Sequence, residues 1–138
     1  MKFKGLNGRD FTVNVHKYRV IADNDGRQKR SAPHRKARTL LQDKFKSYQI
    51  LEEMKISNSN ARNLYLDFFI PTLSLAIEVN GRQHYEFVAH FHKGRAGWID
   101  ALRRDRIKRE WCELNDIHLV VFRWDEEDDW GKQIEYRD

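Results

Sequence analysis

Cysteine is almost missing: Cys112 stands alone among 138 residues, so no internal disulfide can form and no pair of thiols sits at zinc-site spacing. That excludes a stapled secreted scaffold and points to a reducing, cytoplasmic compartment. Long apolar runs are missing too. No window approaches the roughly 18 uncharged apolar residues of a membrane span, and the opening MKFKGLNGRDF has no apolar stretch of secretory type, so neither insertion nor export is expected. Internal repeats, low-complexity linkers and sustained heptads are also lacking, which leaves one domain over 1–138 and no coiled-coil route to a dimer.

What the chain has is cationic charge. Lys and Arg number 26 against 21 Asp and Glu, a net charge of +5, and five of the acids are concentrated in Asp125–Asp129, leaving the remainder more basic still. Nucleic acid is the partner such a balance favours.

Along the chain, FTVNVHKYRVI (11–21) reads as one or two extended pieces closed by the turn DNDG, an N-terminal extension over 1–30 appended to the sheet. Ser31 caps a helix with Pro33 in its first turn, and Ala37, Leu41, Phe45 and Tyr48 carry one apolar stripe to about residue 48. QILEEMKI is a strand and SNSNARN (57–63) a loop. NLYLDFFI and LSLAIEVN form two strands joined by a tight turn at Pro71-Thr72, followed by a loop over 81–97. A second amphipathic helix from Trp98 to about Asn115 turns Ile99, Leu102, Ile107, Trp111 and Leu114 to the core, and IHLVVFRW suits an interior strand. The core is thus 31–124, with 125–138 as an acidic, solvated tail.

Two carboxylates break the apolar hairpin. A two-residue turn sets Ile70 opposite Leu73, which makes Asp67 and Glu78 diagonal neighbours on one face, with Cα atoms on the order of 7–8 Å apart. The opposite face, with Leu64, Leu66, Phe68, Ile70, Leu75, Ile77 and Val79, is wholly apolar. Facing acids repel and need a cation. Mg²⁺ or Mn²⁺ fits oxygen ligands and brings hydrolytic chemistry; the plainer alternative is an ion pair with a helix Lys or Arg for each acid.

LDFFIP, AIEVNGRQHY, a helix containing DRIKREWCELND, and IHLVVFRW together resemble the PD-(D/E)XK nuclease superfamily. Within it the order is most similar to the very-short-patch repair and EDxHD homing endonucleases, including small phage-type enzymes. The resemblance implies an α/β, restriction-endonuclease-like αβββαβ core with a central mixed sheet flanked by helices, and Mg²⁺- or Mn²⁺-dependent hydrolysis of DNA. It implies metal ligands at Asp67 and Glu78 with the Val79 carbonyl. Asn80 stands where the superfamily has its lysine, a departure that the branch meets with a histidine beyond the strand, here His84, as acid/base residue. Asp105 and Lys108, three apart on a helix, would then complete the acidic set or orient His84 and take over the lysine's role, the plainer alternative being an ordinary surface ion pair. A second departure is His34, where the branch carries Glu or Gln; Glu53 or its neighbour Glu52 could substitute from the strand.

Arg35, Lys36, Arg103, Arg104 and Arg109, with Arg82 and Gln83 beside the site, would contact the DNA backbone, although basic helix faces are more often simply solvated. Tyr85, Phe87, Phe91 and Trp98 would stack on bases or cover the sheet. His84, His90 and His92 make a poor zinc site without cysteine. Cutting both strands would need a homodimer or two successive nicks. A rival reading is a noncatalytic DNA-binding protein on a degenerate nuclease fold.

Overall fold

A computed structural model describes residues 1–19, 30–56, 64–86 and 93–135; the DNDG turn, Arg27, Lys29, the 57–63 loop, Phe87, His90, Phe91 and His92 lie outside the described residues. Strands β1 (Lys2–Lys4) and β2 (Asp10–Thr12) pair antiparallel as a two-stranded ribbon. The ribbon is a separate sheet, not an extension of the main one. Phe3 and Val13 pack it on the body, the Lys4 backbone exchanges two hydrogen bonds with the Asn115 side chain at 2.7 and 3.0 Å, and one bridge joins Arg19 to Leu51.

Helix α1 (Ala32–Lys44) starts as its sequence dictates, the Ser31 hydroxyl accepting the His34 N–H at 3.2 Å with Pro33 in the first turn. It ends four residues earlier than the stripe suggests. Phe45 leaves helical geometry yet stays buried, and Tyr48 turns back to donate to the Phe45 carbonyl at 3.1 Å.

The main sheet has the order β3 (Leu51–Ile56), β4 (Leu64–Ile70), β5 (Leu75–Asn80), β6 (His118–Arg123), with the first three antiparallel and β6 parallel to β5. Parallel pairing needs a long crossover, here helix α2 (Arg95–Leu114). Short helix α3 (Trp130–Ile134) follows. The chain is thus α/β, a four-stranded mixed sheet between α1 with α3 on one side and α2 with the ribbon on the other, each side holding its own apolar cluster. No helix is long and apolar enough to cross a membrane among the described residues.

Four expectations are corrected. First, the hairpin turn is longer: Pro71–Leu73 forms a 3-10 turn and Ser74 adopts a left-handed φ of 47°, so Ile70 faces Leu75 and the register slips by two residues. Asp67 therefore moves from diagonal to directly across from Glu78. Second, neither face of the hairpin is continuous. Leu64 and Leu66 join Phe69 and Ala76 in one cluster, whereas Phe68, Ile70, Leu75 and Ile77 join the other. Alternation breaks at Asp67 and at its β3 neighbour Glu53, which lies between the pairs Glu52–Phe68 and Met54–Leu66 and has a φ of 51°. That conformation is rare for a residue with a Cβ.

Third, α2 buries Ile107, Trp111 and Cys112, while Ile99, Leu102 and Leu114 are exposed. Its N-terminal half extends past the apolar cluster. Fourth, β6 is an edge strand, and the acidic segment that follows is no free tail. Trp130 and Ile134 are buried; the Trp130 indole donates to the Arg123 carbonyl at 2.9 Å and the Gln133 amide to the Val121 carbonyl at 3.2 Å, covering acceptors of that edge.

Candidate active site and metal centre

The slipped register has a chemical result. The β4–β5 ladder stops at Phe68–Ile77, and beyond it carboxylates replace carbonyls as acceptors: Asp67 N–H donates to Glu78 Oε2 at 2.9 Å and Val79 N–H to Asp67 Oδ2 at 2.8 Å. The two acids wedge the strands apart, each oriented by the other strand. Burial first, then the charge of Glu78, drives the Asp67 carboxyl well above the ordinary range.

Lys108 supplies the cation that this pair requires. From α2 its Nζ reaches Glu78 Oε1 at 2.9 Å, so the ion-pair alternative holds at Glu78. Burial pulls the Lys108 ammonium down, but Glu78 and Asp67 together outweigh it and its pKa rises above the ordinary value. Asp105, one helical turn earlier, meets His84 Nδ1 through Oδ2 at 2.9 Å. Asp67, Glu78, His84 and Lys108 line one cleft of about 300 Å³ at the sheet's end, and Asp105 lines the adjoining space. Asn80, Gln83 and Val79 border that cleft.

A second group converges where β3 and β4 lose their alternation. His34, Glu53 and Asp67 each present one ligand atom, all within 4.8 Å of one another. One imidazole nitrogen and two carboxylate oxygens suit a divalent ion, so the donor chemistry fits the metal that the resemblance implies, with His34 and Glu53 completing the set around Asp67. Glu78, already held by Lys108, lies outside that group. His34 packs against Phe68, ring centroids 4.7 Å apart and planes tilted by 32°.

Behind this group lies Glu52, hydrogen-bonded by His34 Nε2 at 2.7 Å and Arg38 Nη2 at 2.6 Å, with the Arg30 charge nearby at 3.5 Å. Burial raises the Glu52 pKa, but the bonds from His34 and Arg38 prevail and hold it below the ordinary value. Arg30 Nε also lies 3.4 Å from Glu53. Arg38 was no candidate from sequence. Its spacing of four from His34 on α1, facing the Glu52-Glu53 dipeptide, was the available signal.

The basic residues expected on DNA are spread around this cleft and several are engaged. Arg82 pairs with Glu86, Lys36 meets Glu127 at 3.1 Å, Arg104 meets Asp100 at 3.6 Å, and Arg35 donates to the Arg30 carbonyl at 2.7 Å. Arg103 and Arg109 are exposed on α2. Tyr85 stacks on Trp124 with centroids 5.8 Å apart, and the Arg123 guanidinium lies 4.1 Å from the Tyr85 ring centre.

No family model matches the chain, and no solved structure matches it. Relatives among curated proteins are viral. Uncharacterized protein 307L of Invertebrate iridescent virus 6 is 41% identical over 58 residues, 42% of this chain and 29% of that protein. Uncharacterized protein 033L of Invertebrate iridescent virus 3 is 40% identical over 58 residues, 42% of this chain and 30% of its own length. Uncharacterized protein 094L of Frog virus 3 is 41% identical over 66 residues, 47% of this chain and 43% of that protein. The chain thus spans less than half the length of each.

Proposed function

We propose that this chain is a divalent-metal-dependent DNA endonuclease of the PD-(D/E)XK kind, on a restriction-endonuclease-like αβββαβ core. The observation that carries the reading is the meeting of Asp67, Glu78, His84 and Lys108 in one cleft, with Asp105 bonded to His84 and a three-donor group at Asp67. The order α1, three antiparallel strands, α2 and a parallel β6 agrees with such a core.

Asp67 and Glu53 would hold the metal, whose contribution when bound is to acidify water and to offset charge on a phosphate oxygen. Lys108, entering from α2, has its ammonium where Asn80 offers none, and Glu78 keeps it charged and aimed into the cleft. Asp105 accepts from His84 Nδ1, which leaves Nε2 to pass a proton between water and the departing 3′ oxygen as the P–O bond breaks. The exposed Arg103 and Arg109 would bind flanking phosphates.

Nicking of supercoiled plasmid in Mg²⁺ or Mn²⁺, present in the wild type and absent in Asp67→Ala, tests this reading. Asn80 and His34, the two departures from the superfamily pattern, favour the rival, DNA binding without cleavage. That rival predicts a salt-sensitive gel shift with no nicking in either metal.

A further inference from the structure

The structure assigns His34 as a nitrogen ligand that makes this a site for a first-row transition ion in preference to Mg²⁺, with Glu52 as the positioning residue that orients the imidazole. The inference rests on the metal-dependent reading above and goes beyond it in naming the class of ion and the residue that selects it.

The group at Asp67 is of mixed chemistry: Glu53 and Asp67 offer oxygen, His34 offers nitrogen. Mg²⁺ prefers an octahedron of oxygens and keeps much of its water, whereas imidazole suits Mn²⁺, Fe²⁺, Co²⁺ and Zn²⁺. A histidine brought into a ligand set therefore biases the choice. The bias is effective only if the ring presents a lone pair and not an N–H, and that is the task of Glu52. Arg38 donates to both oxygens of Glu52, from Nε at 3.1 Å to each and from Nη2 at 2.6 Å, so Glu52 is an ionised acceptor. Glu52, an acceptor 2.7 Å from His34 Nε2, favours the proton on that nitrogen and the lone pair on Nδ1.

The ring cannot easily swing away. His34 is buried, packed against Phe68, and its backbone N–H is fixed by the Ser31 hydroxyl. Glu53 is brought alongside by its left-handed backbone, a conformation that a strand has no reason to adopt for packing alone. Arg30, near both Glu52 and Glu53, is the charge that the ion would displace from Glu53 while Glu52 retains it.

The test uses Mn²⁺ itself as the probe. In the full chain, electron spin-echo spectroscopy of bound Mn²⁺ should show ¹⁴N modulation, and competition calorimetry should show Mn²⁺ binding at least about tenfold tighter than Mg²⁺, about 1.4 kcal/mol. His34→Gln should lose the ¹⁴N signal and most of the preference while still binding Mn²⁺ through oxygen. His34→Glu should shift the preference toward Mg²⁺, and Glu52→Gln should weaken or alter the ¹⁴N coupling with the fold intact by circular dichroism. The wild-type spectrum needs no variant to fold: bound Mn²⁺ with no ¹⁴N modulation overturns the assignment and leaves the nuclease reading standing. A ¹⁴N signal that survives in His34→Gln and disappears in His84→Gln overturns it too. Absence of any Mn²⁺ binding by the wild type overturns both readings.

Discussion

Replacing Lys108 by Met removes the cation bonded to Glu78 while keeping most of the apolar stem of the side chain. Glu78 and Lys108 are 8% and 19% exposed, so water screens the pair poorly, and loss of one member leaves a buried carboxylate facing Asp67. Breaking such a pair costs about 3–5 kcal/mol. For a chain of this size that lowers the Tm by about 10 °C or more. The Lys108 pKa is raised above its ordinary value of 10.5, so the stabilisation is complete at neutral pH and is lost only as pH climbs through the folded value. Urea unfolding at pH 8 in EDTA, followed by fluorescence of the buried Trp111 and Trp130, measures the loss. Two companions sharpen it: Glu78→Gln in the same chain should restore most of the stability, and the deficit should shrink as pH falls and Asp67, its pKa already raised, takes up a proton. A loss under about 1 kcal/mol, the value of an exposed pair, would refute the buried-pair account.

Asp67→Asn, in EDTA, should stabilise the fold by about 0.5–2 kcal/mol while cleavage falls at least about 100-fold. The Asp67 carboxyl is held well above its ordinary value of 3.8, so stability falls as pH rises from that value to the folded one and stays low above it, and thermal melts of variant and wild type should converge only in acid below the ordinary value. His84→Gln should lower kcat by about 10²–10⁴, and Asp105→Asn, which weakens the bond that orients the ring, should lower it by a smaller factor in the same plasmid assay. Cys112, its pKa pushed up to about 12 by burial and then by the nearby Glu78 charge, should resist iodoacetamide at pH 8 and react fully in urea. Arg103→Ala and Arg109→Ala should each reduce the slope of log affinity against log salt by about 1 without changing plasmid preference.

Asp67 and Glu78 were readable because an acid within an apolar alternation stands out locally, and a slip by two residues leaves both on one side. Asp105 and Lys108 were readable as a helical pair, the target His84 only through the resemblance, and Glu78 as the partner of some helix Lys or Arg only through the plainer ion-pair alternative. His34, Glu52 and Glu53 could be named as substitutes but not joined, since their meeting depends on a left-handed residue inside a strand and on how α1 lies against β3. Periodicity cannot signal either. The same limit explains Ile99 and Leu102: the pattern gives a helix stripe, but not where along the helix the apolar layer stops.

The Trp130 and Gln133 side chains that occupy the Arg123 and Val121 carbonyls act as a stopper on the β6 margin. A foreign strand seeking to zip onto that rim would meet filled acceptors, so self-association through it is discouraged. Trimming the chain ahead of Trp130 would bare a sticky border, and the shortened product should precipitate at concentrations where the parent stays clear.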